Sequence, residues 1–254
     1  MLGLISAIVG AMSGASVGFM QLFIERNSHD IFHFIMSFIE SFWIIFVIWV
    51  IASIFISSYY VRVMKTTVEG LNKAPDWDKI DDLFIKGLCY IIGLILLAFI
   101  FLIIPIALYL FSSILASINE TAGLIFILLT TLFFILSIII LWFYSKLAEV
   151  NYSVRGFLGF FEFGKIFEMI SLKYIILLIV IAIIELVISL IVVVPLDTIG
   201  TFLLVLAYTN KNITALYIAI KNIVLCVINI CNFYLAVFSI RAVALYYKDR
   251  KGIE

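Results

Sequence analysis

The sequence predicts an all-α integral membrane helical bundle, with about six transmembrane helices and two cytoplasmic interfacial amphipathic segments. Three observations predict it. Of the 254 residues, 66% are hydrophobic and 13% charged, against roughly 25% charged in soluble domains. Mean hydropathy is +1.30, and a soluble fold of this size needs far more polar side chains to cover its surface. Six stretches are long enough to cross a hydrocarbon core about 30 Å thick, which takes about 20 apolar residues per helix. They run over about 2–24, 34–60, 84–111, 121–144, 173–194 and 214–245. Each is continuously apolar, which excludes the apolar/polar alternation of membrane β-strands.

The third observation is the distribution of Lys and Arg between the spans. Arg62, Lys65, Lys73, Lys79 and Lys86 lie between spans two and three. Lys146, Arg155, Lys165 and Lys173 lie between spans four and five, and Arg241, Lys248, Arg250 and Lys251 follow at the C-terminal end. That places thirteen cations on one side and only Arg26, Lys211 and Lys221 on the other. Both termini are therefore expected in the cytoplasm, with the whole chain, 1–254, forming one polytopic domain.

In the first span, Gly10, Gly14 and Gly18 recur every four residues, extended back by Ser6, with Ala7, Ala11 and Ala15 in the adjacent row. Residues four apart share a helix face, so this face is smooth and admits close approach of another backbone. It packs either within the subunit or against a second copy or a partner membrane protein. No Lys or Arg precedes Arg26, so the basic start of a signal peptide is missing and the first helix is expected to be retained. His29, His33 and Glu40 would share one helix face beyond this span. Two histidines and a distant carboxylate are a weak ligand set, so no metal is expected.

Between spans two and three, Asp76, Asp78, Asp81 and Asp82 surround Trp77. This cluster lacks the glycine and glutamate of an EF-hand loop. Asp76, Asp78 or Asp81 is instead expected to cap the following helix, with Trp77 in the headgroup layer. In the segment 146–170, Phe157, Phe160, Phe161, Phe163 and Phe167 alternate with Arg155, Glu162, Lys165 and Glu168. That mixture suits an amphipathic helix lying in the headgroups. Pro195 is expected to end or kink the fifth span. The apolar run 196–208 is too short to cross alone, so it is an interfacial or re-entrant piece or a continuation of that helix.

Glu185 lies in the middle of the fifth span. A charged side chain there costs about 2.5–3.5 kcal/mol and needs a partner or water. At 1.5 Å per residue, Glu185 rises about 18 Å above Lys173 and Asn229 about 18 Å above Arg241, while Lys221 sits about 12 Å higher. A Glu185–Asn229 contact is therefore expected over a Glu185–Lys221 ion pair. Asn222 and Asn229 are seven apart and share a face. Glu185, Asn229, Asn222 and Lys221 form the candidate intramembrane polar site.

The helix exit Ser58-Tyr59-Tyr60-Val61-Arg62, the element Pro75-Asp76-Trp77-Asp78 and the helix entry Asp82-Leu83-Phe84-Ile85-Lys86-Gly87 resemble the motifs of an uncharacterised family of prokaryotic, largely archaeal, polytopic membrane proteins. Phe163-Gly164-Lys165-Ile166-Phe167-Glu168 and Arg241-Ala242 with Tyr246 look like its later marks. The resemblance implies a membrane domain of unknown function in a prokaryotic cell membrane and supplies no catalytic residues.

Cys89, Cys226 and Cys231 all lie in apolar stretches and form no C-x-x-C pair, so they read as packing residues. Walker A, G-x-S-x-G, H-E-x-x-H and dinucleotide-binding patterns are absent from the sequence. The expected protein is not an enzyme and carries no cofactor. Zero net charge gives no electrostatic case for nucleic acid, so the expected surroundings are the lipid bilayer. The polar residues in apolar helices favour a permease-like or transport-associated protein. The alternative is a non-enzymatic membrane scaffold or assembly protein.

Overall fold

The computed structural model describes residues 31–71, 73, 75, 76, 78–209 and 214–252. The described residues are helical with no strand: α1 (Ile31–Val68), α2 (Ile80–Ile118), α3 (Glu120–Arg155), a 3-10 turn (Phe157–Phe161), α4 (Phe163–Met169), α5 (Leu172–Ile188), a π-helical stretch (Ser189–Val193), α6 (Val194–Thr209) and α7 (Thr214–Lys251). Five helices among them are long and apolar enough to cross a membrane: Phe46–Val68, Ile80–Ile118, Glu120–Arg155, Leu172–Leu203 and Ala219–Lys251. The expected first span lies outside the described residues, as do Gly10, Gly14, Gly18 and His29. His33 and Glu40 fall on α1, but their side chains are also outside the described part.

The chain divides into two compact units, one of Met1–Ile56 with Ile179–Ser239 and one of Ser57–Leu178 with Ile240–Glu254. The second is built on the α2–α3 hairpin. Asn119 turns the chain between the two helices, and its side chain accepts the Ala122 N–H at 3.1 Å, satisfying one of the free donors at a helix start. Along α3, Gly123, Thr130, Ser137 and Tyr144 are buried. They are seven apart and form one face, which is mostly small or hydroxylated. An added side-chain carbon at Gly123 would lie 2.2 Å from the Ala116 Cα. This is the close backbone packing that drives helix association in lipid, where apolar surface alone gives no preference for a neighbouring helix. The large apolar side chains point outward, with Leu128 71% exposed, as a helix bathed in hydrocarbon requires.

Aromatic and polar groups fill the interior at the other end of the hairpin. Tyr144, Tyr174, Tyr247, Phe160, Met64 and Leu147 are fully buried. Gly156, with φ of 77°, ends α3 by leaving the helical region at a residue that bears no Cβ. The chain then folds back as the 3-10 turn and α4.

Several sequence expectations are revised here. Residues 146–170 do not form one amphipathic helix: 146–155 complete α3, and the rest is a 3-10 turn and a seven-residue helix. Phe160 is buried, so part of the aromatic set is core rather than headgroup anchor. Residues 62–68 and 80–87 likewise belong to the long helices α1 and α2. Asp76, Asp78 and Asp81 do not cap α2. Lys79 occupies that position, with φ of 54° and no side-chain cap, because Arg62 engages the neighbouring carboxylates instead. The fifth span does not stop at Pro195, since helix continues to Thr209 and 196–208 extends it.

Candidate functional site

Two polar constellations stand out, one in each unit. In the second unit the pivot is Asn151, on the last turns of α3 and 1% exposed. Its amide nitrogen donates to the Gly159 carbonyl and to Glu162 Oε2, both at 2.8 Å. Its amide oxygen accepts from the Tyr247 hydroxyl, which accepts in turn from Lys251 Nζ. A buried amide can hold such a junction because it offers two donors and an acceptor from one planar group. Glu162 Oε1 receives Arg155 at 2.8 Å and Lys165 at 2.9 Å.

Around this junction, tyrosine hydroxyls grip backbone carbonyls near helix ends. Tyr144 donates to Phe160 at 2.9 Å. Tyr152 donates to Lys86, Tyr174 to Phe143 and Tyr246 to Met169, each at 2.7 Å. Each gives the tyrosine's own hydroxyl an acceptor where water is scarce. Glu149 is 5% exposed, with Lys146 Nζ at 3.6 Å and the Tyr90 hydroxyl facing it from α2.

The Asn151 amide, followed by Lys165 and Arg155, holds the Glu162 carboxyl down at about 2, below its ordinary 4.5. A carboxyl lowered on folding contributes stability above its unfolded value, and that contribution drains away as the pH falls through its folded value. The expected result is that wild type is more heat-stable than Glu162→Gln above about pH 4.5 and that this advantage shrinks towards pH 2. Thermal unfolding of the two proteins in detergent across that range measures it. A pH-independent gap would count against the ion cluster.

The exits of two spans are built alike. Arg62 contacts Asp82 at 3.4 Å, and Lys86 reaches the same carboxylate at 2.8 Å. Arg155 and Lys165 share Glu162 in the same manner. Each pairing joins the end of one helix to a carboxylate seven or twenty residues later.

The first unit holds the four intramembrane residues expected from the sequence. Glu185 is half-buried on α5, in the span Leu172–Leu203. The expected Glu185–Asn229 hydrogen bond is not among those formed by the described residues. Asn229 Nδ2 donates at 2.7 Å to the Leu225 carbonyl one turn back on its own helix, the local back-bonding that polar side chains use within helices. Lys221 Nζ sits 5.5 Å from the centre of the Tyr217 ring. Asn222 Oδ1 is buried without a hydrogen-bond partner among the described residues.

One feature of this unit was not expected. Beyond Glu185, the Val194 N–H bonds to the Ser189 carbonyl, a five-residue register in place of four. Pro195 then supplies no N–H. One carbonyl of this stretch therefore lacks the backbone donor that any other residue at 195 would supply. Ser189, four residues after Glu185, begins the π-helical stretch on the same helix face.

Among the described residues, no group of three or more His, Cys, Asp or Glu side chains is placed to hold a metal ion. No solved structure matches the chain. An uncharacterised protein of Methanocaldococcus jannaschii is 57% identical over 251 residues, covering 99% of this chain and 91% of the relative. A second uncharacterised protein of that organism is 42% identical over 206 residues, covering 81% of this chain and 72% of its own length. The family described as "Protein of unknown function (DUF4013)" matches residues 41–196, from the first described span through Glu185 and the π-helical stretch. With that match over more than half its length, the chain belongs to the DUF4013 family.

Proposed function

We propose that this is a permease-like or transport-associated protein of a prokaryotic cell membrane, non-enzymatic, with both termini cytoplasmic. The observation that carries the reading is a carboxylate one turn before a π-helical stretch in an apolar span. Ionisable groups at such depth are costly and are retained at ion or substrate pathways. π-helical stretches within α-helices occur frequently at functional sites, and Pro195 directly after this one supplies no N–H. Asn222, with its buried unpartnered carbonyl oxygen in the same unit, adds a second polar group of the same kind. The cation asymmetry of the loops supports the orientation.

The test is ion flux in proteoliposomes of the full chain under an imposed proton or sodium gradient. Wild type should dissipate the gradient, and Glu185→Gln should remove that flux while folding normally. The second reading, a scaffold or assembly protein, is favoured by the tightly tied junction around Asn151. It predicts no flux from either protein.

A further inference from the structure

We propose that the loop following α1 forms a binding site for the phosphate head group of a membrane lipid. A cavity of about 310 Å³ lies between the last turns of α1 and the loop that leads to α2. That volume is at the small end for ligand pockets and suits a head group rather than a whole lipid. One wall is fixed by Arg62, whose guanidinium bonds to the Asp76 and Asp78 carbonyls at 2.6 and 2.8 Å and to the Asp78 carboxylate at 2.8 Å. Those bonds and the Asp82 contact occupy both terminal nitrogens of Arg62 and pair Asp78, so both residues shape the cavity.

The cations left to bind are Lys65 and Lys73, opposed by the Asp76 carboxylate. Lys65 is only loosely held, 3.8 Å from Glu69 with both side chains about half exposed, a contact of little energetic weight. A third cation approaches from α7: a side-chain carbon at Gly70 would lie 3.0 Å from Lys248 Nζ. The cavity is therefore complementary to a phosphate anion. Two features favour a lipid over free phosphate. The site lies at the end of a membrane span, Phe46–Val68, the depth at which lipid phosphates lie. Leu71 and Pro75, both on the lining, offer apolar surface to the glycerol and upper chain.

Native mass spectrometry of the full chain in detergent, titrated with phosphatidylglycerol, tests this. Diacylglycerol and inorganic phosphate serve as the comparison ligands. Wild type should bind phosphatidylglycerol. Lys65→Gln/Lys73→Gln should weaken that binding roughly tenfold or more, as expected for two lysines at a membrane surface. Lys173→Gln, a change to an exposed lysine elsewhere, should not weaken it. Both lysines of the double variant are solvent-facing, so an unchanged circular dichroism spectrum will confirm its fold. Equal binding of diacylglycerol, or undiminished binding by the double variant, would overturn the site. Inorganic phosphate binding as tightly as phosphatidylglycerol would overturn the lipid assignment.

Discussion

Replacing Asn151 by leucine should cost about 3 kcal/mol or more, lowering the thermal midpoint in detergent by roughly 5–10 °C. Leucine keeps the branched outline of asparagine and is larger, so the loss comes from unmade hydrogen bonds and crowding rather than from a cavity. The Gly159 carbonyl and the Tyr247 hydroxyl lose their partner where water cannot replace it. Glu162 loses the donor on Oε2. Leaving buried polar groups unpaired costs more than their net contribution when paired. Leu158→Ser is the matching control, because Leu158 is 76% exposed and its change should shift the midpoint little. Equal midpoints for wild type and Asn151→Leu would show that the junction does not hold the fold.

Gly93→Leu should be comparably damaging, at about 3 kcal/mol, for the opposite reason. An added side-chain carbon at Gly93 would lie 2.4 Å from two atoms of the Phe160 ring. Phe160 cannot retreat, because it stacks on Tyr152 at 4.7 Å between ring centres and meets Tyr90 at 6.0 Å. Relief requires the 3-10 turn to lift away from α2, taking the Gly159 carbonyl from Asn151 with it. Limited proteolysis should then cut within residues 156–170 in the variant and spare wild type. Resistance of both proteins would mean that the turn is held by something other than this packing.

The spans were legible in the sequence because hydrocarbon admits little but long apolar helices. The collar at their ends was not, for a particular reason. The fourth span loses its continuous apolar character at Tyr144, yet the helix continues to Arg155. Tyr144, Leu147, Ala148, Asn151 and Tyr152 recur at intervals of three and four, a helical face that marks the continuation. Asn151 and Glu149 were passed over because polar residues after a span read as solvated. The burial of Asn151 depends on the returning 3-10 turn and on Tyr247, 96 residues later, and Glu149 faces Tyr90 of α2. The aspartates before α2 were misplaced for a similar reason. Capping is a local rule, and Arg62, reaching across fourteen to twenty residues, outweighs it.

Glu185 was legible as an isolated carboxylate in an apolar run, but its surroundings were not. Pro195 marks a disturbance in the helix without telling a stop from a change of register. The preference for Asn229 as its partner rested on the last span adjoining it in sequence and on height. Neither says that the Asn229 amide would donate to its own helix.

The claim that Glu185 belongs to a water-accessible, coupled site is tested most directly by carbodiimide labelling of the reconstituted protein across pH, with Glu185→Gln as control. The account predicts labelling at Glu185 that titrates and that changes when a proton or sodium gradient is imposed. A Glu185 that stays unreactive at every pH, in a protein whose Gln variant folds and assembles normally, would contradict it.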